Sequence, residues 1–169
     1  ERQKRFYRIY GNHDMQLRKL FPESICLKNG EGGKDMYIIH GHQADFFNSV
    51  CWRLSRFLVR YVWKPLEQFG VNDPTSAARN YKKTKRYETC MAQTAEKTGN
   101  YLIAGHSHRP HLVKGELYVN AGSCVHPSGI TVIEIENMEM SLVKWQIGAK
   151  KDGILFAERV ILVDHIPIS

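Results

Sequence analysis

The sequence predicts an α/β fold. Short apolar strands run straight into imidazole-bearing loops, and a long helical stretch is inserted between two of them. Three observations carry this reading. Met36-Tyr-Ile-Ile39 and Tyr101-Leu-Ile-Ala104 are continuous apolar runs of strand length, each followed at once by Gly and His. Between them, Phe47, Val50, Cys51, Leu54, Leu58, Tyr61 and Val62 recur at three- and four-residue spacing, the period of a helix with one buried face. After residue 115, runs rich in Val, Ile and Leu alternate with turn residues, as in a strand-rich half.

Taken in order, Phe6 to Tyr10 is an aromatic and β-branched run that stops at Gly11, which predicts a strand entering a loop. Residues 14–20 suit one or two helical turns. The strand over Met36–Ile39 leads into His40-Gly-His42, and a helix follows from Asp45 to Phe69. Gly70 to Pro74 breaks it, with Asp73 suited to cap the next helix and Pro74 to open it; that helix runs to about Lys97 and stops at Gly99. The strand over Tyr101–Ala104 leads into Gly105-His-Ser-His108. Strands are expected over Leu117–Asn120, Ile130–Glu136 and Met140–Ile147, with Asn137 near a hairpin turn, and an edge strand over Ile154–Val163. No repeat, low-complexity tract or flexible linker divides the chain. Residues 1–169 read as one domain, and residues 44–99 as a helical insertion within it.

Composition narrows the class. With 169 residues, 43% hydrophobic and 24% charged, the chain can bury a core without disulfides or structural zinc. Cys26, Cys51, Cys90 and Cys124 are widely spaced and form no CxxC pair, so they read as reduced, small apolar residues of a cytoplasmic protein. No run reaches the roughly 18 apolar residues of a membrane span. The opening Glu1-Arg-Gln-Lys-Arg5 lacks the apolar core of a signal peptide. The net charge of +7 is concentrated: residues 44–98 hold ten Lys or Arg against five Asp or Glu, a local excess of +5. Such a field favours polyanions, phosphorylated ligands or an anionic membrane surface over neutral partners.

The chemistry-bearing residues cluster at strand ends. Gly11-Asn-His-Asp14, His40-Gly-His42 and Gly105-His-Ser-His108 each follow an apolar run, and ligands of open α/β sheets collect beyond the carboxyl ends of strands. Asn12, Asp14 and five histidines should therefore converge. Neutral imidazole is the commonest metal-ligating side chain, and glycine beside it lets the backbone turn closely around an ion.

These three motifs, in this order, resemble the third, fourth and fifth motifs of the calcineurin-like metallophosphoesterases, over roughly residues 6–135. Within that superfamily, the helical insertion and the stretch Ala104-Gly-His-Ser-His-Arg-Pro110 resemble the UDP-2,3-diacylglucosamine pyrophosphatase branch. His13 stands where that branch typically has Arg, a departure toward the general pattern. The resemblance implies the C-terminal part of a four-layer α/β/β/α sandwich in which the insertion caps the site. It implies that Asn12, His40 and His106 ligate one divalent ion and His108 a second. Position in the motifs makes His13 the catalytic imidazole, oriented by Asp14, and places His42 and Arg109 behind the ligands or against a substrate phosphate. The implied reaction is two-metal hydrolysis of a phosphomonoester, phosphodiester or pyrophosphate with Mn, Fe or Zn. His111, His126 and His165 match no motif and read as loop or surface residues.

The family's first two motifs, Asp-x-His and Gly-Asp, precede the third. The ten residues before Gly11 contain neither Asp nor His. The expectation is of an N-terminally truncated domain whose activity belongs to a longer parent, which holds at most one weakly bound ion by itself and exposes a sheet edge. The expected partner is a phosphorylated small-molecule or lipid-like substrate, with peripheral membrane contact through the basic insertion, whose Phe46, Phe47, Trp52, Phe57, Trp63 and Phe69 form a wide apolar face. The alternatives are a nuclease of the same superfamily, gripping phosphates with Lys82-Lys-Thr-Lys-Arg86, and a non-catalytic scaffold.

Overall fold

The computed structural model describes residues 6–30, 32–44, 61 and 81–168. Most of the expected insertion, including the helix from Asp45, the Asp73–Pro74 start of the second helix and Cys51, lies outside the described residues. So does the apolar face from Phe46 to Phe69.

Two sheets form the body. The first has strand order β1-β2-β3-β4, from β1 (Ser24–Leu27), β2 (Met36–Ile39), β3 (Tyr101–Ala104) and β4 (Tyr118–Asn120). β1 pairs antiparallel with β2, whereas β2, β3 and β4 run parallel. The second sheet is an antiparallel meander of β5 (Ile130–Glu136), β6 (Glu139–Ala149) and β7 (Leu155–Pro167), with β7 at its edge. Helix α1 (Tyr81–Thr98) lies between β2 and β3 in sequence and packs against the outer side of the first sheet.

Period-two alternation explains how β3 serves both sides. Tyr101 and Ile103 face the second sheet and join Met36, Leu112, Val119, Met140, Leu142 and Ile168 in the inter-sheet core. Leu102 and Ala104 face α1 and join Tyr87, Met91, Ala95 and Tyr118. A strand covered on both faces must be apolar throughout, which is why Tyr101-Leu-Ile-Ala104 lacks polar alternation. Each buried Leu, Met or Ile in these clusters contributes about 1.5–3 kcal/mol. On α1, Thr84, Tyr87, Met91 and Ala95 form the buried stripe at helical spacing, while Lys82, Lys85, Arg86, Thr89 and Gln93 face outward. Gly99, at φ +66°, ends the helix in the left-handed conformation that favours glycine. The layers run helix, sheet, sheet, in keeping with the α/β class and sandwich that the sequence implies.

Three expectations change. Residues 6–10 form no strand: among the described residues their one backbone bond is Tyr10 N–H to the Pro22 carbonyl at 3.2 Å, and Phe6 and Tyr7 are exposed. An extended run becomes a strand only beside a partner, and none of the described strands lies alongside it. β1 has no counterpart in the sequence reading; its four residues are mostly exposed and carry no alternation to mark them. Cys26, Cys90 and Cys124 are free, as expected, but exposed rather than packed as apolar residues. The expected turn at Asn137 is a two-residue loop with Asn137 and Met138 at φ 50° and 62°, the paired positive values of a tight hairpin turn.

Candidate metal centre

Because β2, β3 and β4 are parallel, their carboxyl ends share one edge of the sheet, and the loops after them meet there. The Gly105 amide bonds the His40 carbonyl at 3.1 Å, and the Ala121 amide bonds the Ala104 carbonyl at 2.9 Å, so the three loops are joined through backbone. The His40 ring lies 5.3 Å, centroid to centroid, from both His42 and His106. The loop at residues 11–14 is brought against them without a preceding strand: a Cβ added to Gly11 would fall 2.6–2.7 Å from the His40 ring. Glycine is thus the residue that lets this turn approach the imidazole.

Burial sorts the candidates. His42 and His106 are 1% and 8% exposed, His40 and Asn12 are half-buried, and His13, Asp14, His108 and Arg109 are exposed. Asn12 Oδ1 and His40 Nδ1 are buried atoms with no hydrogen-bond partner among the described residues. Burial, and then the neighbouring His106, His42, His13 and His108, push the His40 pKa down to about 3, so its imidazole is neutral at any physiological pH. His108 is lowered for the same reasons, first burial, then His106 and His13. This mutual repulsion places His13, His40, His106 and His108 in one electrostatic neighbourhood.

Asn12 Oδ1 and His40 Nδ1 thus offer an uncharged oxygen and an uncharged nitrogen on orphaned buried atoms, with the His106 ring beside them, which fits a divalent cation. Among the described residues no group of three or more His, Cys, Asp or Glu stands in ligating geometry. His13, Asp14, His108 and Arg109 are the exposed members. His13 and Asp14 sit on a turn closed by the Asp14 amide on the Gly11 carbonyl at 3.0 Å. His108 Nδ1 is 2.9 Å from Ser123 Oγ, which fixes that ring. The Arg109 guanidinium is 3.5 Å from the Glu88 carboxylate of α1. His42 lies beneath His40, with its ring 5.7 Å from that of Tyr10. His111 bonds Glu116 at 2.7 Å and stacks on Tyr118, His126 bonds Ser128, and His165 pairs with Asp164; none of the three is among the rings that bear on His40 or His108.

Sequence reasoning missed the residues that hold these loops. Asn120 is fully buried, and its Nδ2 lies within 3.0 Å of the Gly105 carbonyl, Ser107 Oγ and Tyr118 Oη. Tyr87 of α1 donates to the same Gly105 carbonyl at 3.2 Å, and its ring meets that of His106 edge-on at 5.5 Å. The available signal was Tyr118-Val-Asn120-Ala-Gly-Ser123, a further apolar run ending in a polar, glycine-containing loop.

The chain belongs to the calcineurin-like phosphoesterase superfamily, whose domain description matches residues 1–138. That superfamily consists mostly of phosphoesterases and commonly binds divalent metals. Among solved structures, Vps29 of Chaetomium thermophilum is similar with a TM-score of 0.46 and 12% identity, over 94% of this chain and 67% of that one. Comparison with curated protein sequences returns no match.

Proposed function

We propose that this domain carries the histidine-rich half of a metal-dependent phosphoesterase centre, which hydrolyses a phosphomonoester, phosphodiester or pyrophosphate bond. The observation that carries this reading is the pair of orphaned buried donors, Asn12 Oδ1 and His40 Nδ1, in a cluster whose central imidazole is held neutral. An unpaired buried polar atom is costly, and a cation is a partner that satisfies oxygen and nitrogen lone pairs together.

Asn12, His40 and His106 would hold one ion, and His108, braced by Ser123, would contribute to a second. When bound, the ions supply charge stabilisation for the phosphoryl group and a water acidic enough to ionise near neutral pH. The exposed His13, on the Gly11 turn beside the ligand loop, would deliver a proton to the leaving oxygen. The exposed Arg109 would meet a phosphate oxygen in exchange for Glu88.

The outer face of α1 adds a selectivity argument. Lys82, Lys85 and Arg86, with Thr89, Cys90 and Gln93, line an open depression of about 470 Å³, suited to an anionic group such as a phosphorylated lipid-like substrate or the phosphates of a nucleic acid. The test is a panel on the full-length protein with Mn²⁺, containing bis-p-nitrophenyl phosphate, a nucleoside diphosphate sugar, UDP-diacylglucosamine and single-stranded DNA. Metal-dependent turnover of any member supports the reading, and the preferred member sets the substrate class. No turnover with metal demonstrably bound would make the domain a non-catalytic scaffold.

A further inference from the structure

His106 and His108 have φ of 67° and 57°, in the left-handed region that non-glycine residues occupy sparsely. Such a backbone persists only where its surroundings over-determine it. The intervening Ser107 is buried, and the loop is held from below by a chain of hydrogen bonds. Asn120 Nδ2 donates to Tyr118 Oη at 2.8 Å, and Tyr87 Oη donates to the Gly105 carbonyl at 3.2 Å. Asn120 Nδ2 also reaches that carbonyl, so both oxygen lone pairs of Gly105 are engaged, one from β4 and one from α1. Asn120 Oδ1 in turn accepts from the Gly122 amide at 2.9 Å.

Tyr87 is the one member contributed by the helical insertion, and it touches both ligand loops. Its ring meets His106 edge-on. Its hydroxyl occupies the space where a Cβ at Gly41 would stand, and Gly41 has φ +105°, so only glycine lets the His40–His42 loop pass beneath the tyrosine. On the buried stripe of α1, Tyr87 lies one turn from Thr84 and Met91, which fixes it relative to the sheet.

We propose that Tyr87 is a positioning residue for His106 and His108: through Gly105, and with Tyr118 and Asn120, it holds their loop in its left-handed conformation, so the insertion governs how well the imidazoles are presented to an ion. The metal arm of this inference rests on the reading of the site as a metal centre; the conformational arm does not.

The test uses the 169-residue chain with Tyr87→Phe and Tyr118→Phe, each of which removes a hydroxyl and keeps the ring. The first readout is the intraresidue amide-to-Hα NOE of His106 and His108 in metal-free protein, which is strong only at positive φ. Wild type should show it at both residues, and each variant should weaken it. The second readout is the Mn²⁺ dissociation constant by calorimetry, expected to rise about 10–100-fold in Tyr87→Phe, as for loss of other groups that orient ligands. Unchanged NOEs in both folded variants would overturn the proposal, as would unchanged Mn²⁺ affinity beside a lowered Tm, which is what a purely structural tyrosine predicts. Should wild type bind no Mn²⁺, the metal-centre reading fails while the NOE arm still decides the positioning role. A variant that unfolds leaves the decision to the other.

Discussion

Replacing Gly11 by alanine places a methyl group against the ring that the site is built around. The added Cβ would lie 2.6 Å from His40 Cδ2 and 2.7 Å from Nε2, about 0.8 Å inside the 3.4 Å at which ordinary contact begins. Gly11 has no positive φ in its backbone, so the penalty is steric and local. The His40 ring is itself packed between His42 and His106, with centroids at 5.3 Å, and has little room to retreat. Overpacking of this kind costs about 1–3 kcal/mol, and in a domain of this size each kcal/mol lowers Tm by roughly 2–4 °C. The larger effect should be on metal. Ligand distances tolerate only about ±0.2 Å, so a shift several times that should weaken Mn²⁺ binding by at least the 10–100-fold typical of a disturbed supporting residue. Calorimetric Mn²⁺ titration and thermal melts of wild type and Gly11→Ala separate the two effects. Equal Mn²⁺ affinity in the variant, with His40 undisplaced, would refute the claim that the Gly11 turn and His40 form one site.

Other consequences follow from the same geometry. In the full-length protein, His13→Ala should lower turnover of bis-p-nitrophenyl phosphate by about 10²–10⁴-fold at unchanged metal content, the loss typical of a positioned general acid; equal turnover at equal loading would remove His13 from the mechanism. Asn120→Leu keeps the number and branching of side-chain heavy atoms but strips the Gly122 amide of its acceptor and the Gly105 carbonyl of one donor; at about 1–3 kcal/mol per orphaned buried group, the melt should fall by several degrees, and a shift within error would deny the amide its role. In metal-free protein the His40 ring should stay neutral far below the ordinary histidine range. Its folded pKa of about 3 lies below the ordinary histidine value of 6.5, so the unfolded chain binds the extra proton in between, and this group's contribution to stability is intact above pH 6.5 and lost as pH falls toward 3. Imidazole NMR titration checks it, and a His40 that titrates near pH 6.5 would contradict its burial among the other rings.

What could be read in advance was whatever depends on local pattern. The bounds of β2, β3 and β5 match the apolar runs at Met36–Ile39, Tyr101–Ala104 and Ile130–Glu136, because each run is bracketed by glycine or polar residues. The end of α1 was marked by Gly99. Convergence of His40, His42, His106 and His108 followed from strand ends alone, since parallel neighbours must deliver their loops to one edge. Phe6–Tyr10 shows the limit: its composition suits a strand, but strand formation is decided by a partner, which a single run of sequence does not reveal. β1 shows the reverse, as Ser24–Leu27 is ordered by pairing with β2 rather than by any burial of its own. The supporting residues were invisible for a related reason. Asn120, Tyr118 and Tyr87 are ordinary residues in an ordinary strand and helix, and they acquire a role only when the Gly105 carbonyl is placed between them.

The central claim is that Asn12, His40 and His106 face a common point where a divalent ion binds. Anomalous diffraction from crystals soaked in Mn²⁺, collected near the manganese edge, tests it most directly. The account predicts one peak with Asn12 Oδ1 and an imidazole nitrogen of both His40 and His106 within about 2.0–2.3 Å. An ion bound elsewhere, with these three side chains left unligated at saturating Mn²⁺, would contradict it.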